Sequence, residues 1–142
     1  MKSLKQLIGA KGSQIYSVAP DAKVIEALQL MAHKDVGALL VMDGDKLVGI
    51  ISERDYARKV ILHSRSSQDV PVREIMTSGV ITVDPTRTVE ECMALVTQKR
   101  IRHLPVMESG NLIGLVSIGD LVKEVIAEQE QTIKQLESYI HS

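Results

Sequence analysis

Leu47-Val48-Gly49-Ile50-Ile51-Ser52-Glu53-Arg54-Asp55 returns sixty-five residues later as Leu112-Ile113-Gly114-Leu115-Val116-Ser117-Ile118-Gly119-Asp120. Each stretch is an apolar run of strand length that ends on Ser-x-x-Asp, a sequence suited to starting a helix. The agreement spreads outward from there. Laid without a gap, residues 15–61 and 80–126 agree at 15 of 47 positions. Unrelated segments of ordinary usage would share roughly three. The chain is a duplication.

Both copies predict the same order of elements. A short strand (15–18, 80–83) meets a proline, and a helix follows with apolar residues at Val24, Ala27, Leu28, Leu30 and Met31, or at Val89, Cys92, Met93, Leu95 and Val96. Thr88-Val89-Glu90-Glu91 fits a capping box at the start of the second of these helices. Two strands come next (38–42 and 46–51; 103–107 and 112–116), joined at Asp43-Gly44-Asp45 and at Glu108-Ser109-Gly110-Asn111. Gly and Asn supply the positive φ that such hairpins need. The strands are nearly all apolar and should be covered on both faces.

The expected fold is α/β: two β-α-β-β-α repeats related by a pseudo-twofold axis, plus a C-terminal helix. The expected organisation is a helical lead-in over 1–14, repeat one over 15–62, a linker over 63–79, repeat two over 80–126 and a helical tail over 127–142. Residues 72–76 read as a short helical turn within the linker. One repeat alone buries little surface, so the two should fold against each other and leave two equivalent clefts.

Composition narrows the function. The 142 residues carry a formal charge of −1, with no Phe, no Trp and three Tyr. A chain so balanced, and so poor in stacking platforms, does not read as a nucleic-acid binder. The lone Cys92 lies in an apolar helical stretch and reads as a buried structural thiol. The first eight residues read as a short surface helix rather than a signal peptide or a membrane span. A cytoplasmic location is the expectation. His33, His63, His103 and His141 have no nucleophile or metal ligand at useful spacing, and Ser117 lacks a recognisable base. No enzyme is expected.

In Val83-x-Pro85, in Ile101-Arg102-His103-Leu104-Pro105-Val106, and in the two strand-to-helix stretches quoted first, the sequence resembles a tandem pair of CBS domains, the Bateman module. The resemblance spans residues 15–126 and looks like the stand-alone form. It implies a regulatory, signal-transducing protein that holds AMP, ADP, ATP, NAD(H) or S-adenosylmethionine between its repeats and passes that state to a partner. It also implies a homodimer. The alternative is a ligand-free interaction or dimerisation module.

Several residues have the chemistry for such a ligand. Asp55 and Asp120, each at a helix start, can accept from the two hydroxyls of a ribose, with Ser52 and Ser117 adding a hydroxyl. The same spacing also serves a capping box, and both roles can coexist. Arg102 and His103 open a strand of the second repeat, where they would meet phosphate oxygens; a surface salt bridge is the plainer alternative. The first repeat has Gly37 and Ala38 there, with Arg54 and Arg58 on its second helix instead. The two sites should therefore differ in phosphate environment. Backbone near Ser17 and Thr82 would read the adenine, and Tyr16 either stacks on it or belongs to the core.

Past the repeats, Ile126, Ile133 and Ile140 recur every seven residues, with Gln129 and Leu136 between them. That spacing fits either a coiled-coil seam or a helix packed on its own domain.

Overall fold

The computed structural model describes residues 2–11 and 15–141. The expectations placed on Met1, on residues 12–14 and on Ser142 lie outside the described residues. In chain order the elements are α1 (Leu4–Lys11), β1 (Ser17–Val18), α2 (Val24–Lys34), β2 (Ala38–Asp43), β3 (Lys46–Ser52), α3 (Glu53–Tyr56) running into a π-helical turn (Ala57–Ile61), α4 (Val72–Ile75), α5 (Val89–Lys99), β4 (His103–Glu108), β5 (Asn111–Ser117) and α6 (Ile118–His141). The chain divides into two units: Ile15–Val80, and Met1–Gln14 together with Ile81–Ser142.

In the first unit β1 lies parallel to β2, and β2 is antiparallel to β3. Val24, Ala27 and Met31 of α2 are buried against Leu39, Val41 and Ile51 of the sheet, with Val60, Val72 and Ile75 completing the core. Leu40, on the opposite face of β2, is fully buried as well, as an apolar strand covered on both sides must be. Gly44 takes φ 61° in the hairpin. α4 belongs here: Val72 N donates to Ala22 O at 2.8 Å, and Val24 N to Val70 O at 2.9 Å.

The second unit repeats this plan with one omission. β4 and β5 pair in the register of β2 and β3, including the shift between Val106 and Met107 that matches the one between Val41 and Met42. The expected first strand over 80–83, however, is reduced to a single bridge, Val83 to Val106. The cause is Pro105. In the first unit Leu40 N donates to Tyr16 O at 3.2 Å; Pro105 occupies the matching slot and has no N–H to give. Only the bonds from Val83 N to Pro105 O (3.1 Å) and from Met107 N to Val83 O (2.8 Å) remain.

α1 departs from its expected character as a surface helix. Leu4, Leu7 and Ile8 are buried in the second unit's core, among Val89, Cys92, Val116 and Leu121. Val89 N donates to Lys2 O at 3.0 Å and Leu4 N to Arg87 O at 2.9 Å, which ties the segment down at the start of α5. The helix is amphipathic, and its apolar side found a core rather than solvent. The capping box of Thr88 and Glu91 is present as the sequence predicts.

Candidate functional site

Each repeat builds its helix start from a strand end. Ser52 closes β3 and caps α3: its N–H and its hydroxyl both donate to Asp55 Oδ2, at 2.9 and 3.0 Å, and Asp55 N donates back to Ser52 Oγ at 3.2 Å. In the second repeat Ser117 N donates to Asp120 Oδ2 at 2.8 Å and Asp120 N to Ser117 Oγ at 3.1 Å. Both carboxylates are half-buried. The capping role read from the spacing is thus realised twice. A carboxylate offers about four acceptor positions, so capping leaves each Asp with capacity for further donors.

Register decides what stands beside these pairs. His103 lies directly opposite Ser117, and Ile118 N donates to Arg102 O at 2.8 Å. Arg102, His103, Ser117 and Asp120 are therefore brought together at the open end of one hairpin. Arg102 is exposed there and His103 half-buried. Thr82 is exposed one residue before the Val83 bridge, beside the same strand.

In the first repeat Ala38 faces Ser52, and Glu53 N donates to Gly37 O at 3.1 Å, so the matching corner has no cation on its strand. Its arginines are on the helix instead, with Arg54 in α3 and Arg58 in the π-helical turn, both exposed. Ser17 sits opposite Leu40, two residues along β2 from that corner. Tyr16 is half-buried, with the Lys34 ammonium 5.2 Å from its ring centre, a cation–π distance.

The sequence reading passed over Lys59. Its ammonium stands 3.3 Å from Asp55 Oδ1 and donates to the Ile75 carbonyl at 2.9 Å. The i,i+4 spacing from Asp55 was the available signal. The helix is wound into π geometry here, with Leu62 N donating to Ala57 O at 3.3 Å and Arg65 N to Val60 O at 2.9 Å. π-turns of this kind often occur at functional sites. The second repeat carries Glu124 in place of Lys59 and pairs it with Lys2 at 3.3 Å. Both arrangements tie a repeat's second helix to the segment packed across it, by a bond to a backbone carbonyl in the first repeat and by an ion pair in the second.

Cys92 is buried, and burial pushes its thiol up to about 11; it is a packing residue. Among the described residues no cluster of His, Cys, Asp or Glu has the makings of a metal site, and no helix is long and apolar enough to cross a membrane.

Comparison with known proteins agrees with this duplication. The profile of the CBS domain matches residues 12–62 and 72–127. A mitochondrial CBS domain-containing protein of Arabidopsis thaliana is 42% identical over 136 residues, which cover 92% of this chain and 66% of that protein. The chain thus spans just under two thirds of that relative's length. A CBS domain-containing protein of Bacillus subtilis is 34% identical over 109 residues, 77% of each chain. Among solved structures, a CBS-domain protein of Burkholderia ambifaria assigned to signal transduction is 53% identical with a TM-score of 0.87, over 90% of this chain and 96% of that one. A hexameric CBS-CP12 protein from bloom-forming cyanobacteria is 27% identical with a TM-score of 0.77, over 86% of this chain and 70% of that one. With both repeats matched in register and their helix starts built alike, the chain belongs to the CBS domain family and carries two CBS domains.

Proposed function

We propose that the chain is a regulatory sensor that binds an adenine nucleotide (AMP, ADP, ATP or NAD(H)) in clefts between its two CBS repeats and signals the bound state to a protein partner. The observation that carries this reading is the twice-built corner of half-buried carboxylate, capped helix start and adjoining strand end. Asp55 and Asp120 would accept from the ribose hydroxyls, with Ser52 and Ser117 beside them. Arg102 and His103 would meet phosphate in the second repeat, and Arg54 and Arg58 in the first. Backbone near Ser17 and Thr82 would read the base, with Tyr16 at the edge of the first site.

The two corners differ in where their cations stand, which supports unequal sites with different nucleotide preferences. A ligand that touched both repeats would bias their relative arrangement, and a conformational bias of that kind is what a partner can read. A homodimer is part of the proposal. It is supported by the exposed apolar side chains of α6; the hexameric assembly of the cyanobacterial relative supports self-association in general and not the number of copies.

Calorimetric titration against AMP, ADP, ATP, NAD, NADH and S-adenosylmethionine tests the reading. Saturable binding of at least one adenine nucleotide is expected, together with a rise in melting temperature at concentrations well above Kd. If none bound at millimolar concentration, the ligand-free interaction module would be the better account.

A further inference from the structure

α6 is one continuous helix from Ile118 to His141. Leu121 on one face is buried in the second unit, and Val125 packs against the same core. A neighbouring face, centred about 100° round the helix from Leu121, carries Val122, Ile126, Gln129, Ile133, Leu136 and Ile140, in the alternating spacing of four and three that makes a coiled-coil seam. Its apolar members are exposed: Val122 39%, Ile126 50%, Ile133 55%, Leu136 58% and Ile140 75%. The alternative in which the tail packs on its own domain is therefore not what the helix does. Among the described residues none past Ile126 joins either core, and an isolated helix of about fifteen residues is marginal in water, so this segment gains from a partner that covers the seam.

The flanking residues select the partner and its direction. Lys123, Glu130 and Glu137 line one edge of the seam, and Val125, Thr132 and Tyr139 line the other. Two copies side by side in parallel would set each charged edge against an uncharged one, and no charge would be answered. Turned antiparallel about a twofold axis level with Gln131, the same two helices answer each other. Lys123 meets Glu137 of the second copy, and the symmetry repeats that pair at the far end. Tyr139, 81% exposed, falls at the edge beside Val125 of the second copy, whose own side chain is half-buried on its core. Val122 meets Ile140, and Ile126 meets Leu136. The unfavourable layers are Gln129 against Ile133 and Glu130 against its own copy at the axis.

We propose that residues 122–140 of α6 are a self-association surface that pairs antiparallel with the same helix of a second copy of this chain. The proposal rests on the homodimer reading above and deepens it by naming the surface and its orientation.

The test uses the full chain. Sedimentation equilibrium should find a dimer for the parent and at least tenfold weaker association for Ile133→Asp, with unchanged circular dichroism. Glu130→Gln should tighten the dimer, since it removes a like-charge pair at the axis. Orientation is read with a short bis-maleimide. A mixture of Ile126→Cys and Leu136→Cys proteins should cross-link to each other, while Leu136→Cys alone should not cross-link to itself. A monomeric parent would overturn the homodimer reading and this proposal together. A dimer that survives Ile133→Asp and yields no mixed cross-link would overturn the tail surface alone and leave the homodimer standing. Self-cross-linking of Leu136→Cys would overturn the antiparallel arrangement.

Discussion

Lys59 holds Asp55 from one helical turn away, its ammonium 3.3 Å from Oδ1, while the same ammonium donates to the carbonyl of Ile75 at the end of α4. One side chain thus joins the carboxylate proposed for ribose to the segment packed across the first repeat. Lys59→Met keeps the aliphatic stem and removes the charge. Because Lys59 is 44% exposed, the ion pair itself contributes little. The lost bond to a backbone carbonyl sets the scale, about 1 kcal/mol. Urea unfolding should show that loss. A loss several times larger would mean that the π-helical turn depends on Lys59 for its geometry.

Gly49 and Gly114 occupy matching places and tolerate a side chain differently. A Cβ on Gly49 would stand 2.6 Å from Met76 Sδ and 3.0 Å from Thr77 O; on Gly114 it would stand 2.8 Å from Ile8 Cδ1. The Ile8 tip and the methionine sulfur can move, but the Thr77 carbonyl is in a backbone bridge to Ile50. Overpacking costs about 1–3 kcal/mol. Gly49→Ala is expected near the upper end of that range and Gly114→Ala near the lower, as measured by denaturant midpoints at equal m-value. The reverse order would contradict this account of the two contacts.

Glu91 in the capping box accepts from the Thr88 backbone and hydroxyl and from Arg87, bonds that hold its carboxyl below the ordinary 4.5. A carboxyl with a lowered folded pKa adds stability that is fully present above the unfolded value and lost as pH falls through the folded one. Acidification below about pH 4.5 should therefore destabilise the parent more steeply than Glu91→Gln. Thr88→Ala, which removes the hydroxyl cap, should cost about 1 kcal/mol at neutral pH. Parallel pH–stability curves for parent and Glu91→Gln would count against the box.

The repeat made much of the fold legible. Both hairpins, both Ser-x-x-Asp helix starts and the Thr88 cap follow from local chemistry that a single sequence displays. What stayed hidden depended on position in space. Nothing in the spacing of Leu4, Leu7 and Ile8 says that this helix is buried in the core built by residues 81–142, nor that α4 joins the core of residues 15–80. The π-helical turn is equally silent, because Ala57–Ile61 reads as ordinary helix. Pro105 was readable in principle: a proline within a strand removes a ladder bond, and the lost bond is the one Leu40 makes to Tyr16. For the site, residue types and register brought Arg102, His103, Ser117 and Asp120 to one corner, but Lys59 acts through a backbone carbonyl that no motif encodes.

Pro105→Leu tests whether that proline is what removes the first strand of the second repeat. The new amide has Ile81 O within reach if the second repeat follows the first. Hydrogen exchange should then show a protected amide at position 105, as at Leu40. Free exchange at that amide would mean that the missing strand has another cause.

The measurement that bears most directly on the nucleotide proposal is calorimetric titration of the parent, Asp55→Ala and Asp120→Ala with the tightest-binding adenine nucleotide. Asn variants at both positions serve as controls that keep a capping oxygen. Each Ala variant should lose one class of site, weakened by about 1–3 kcal/mol for lost charged hydrogen bonds, while the other class persists. If all variants bound like the parent and differed only in stability, the two carboxylates would be caps and nothing more.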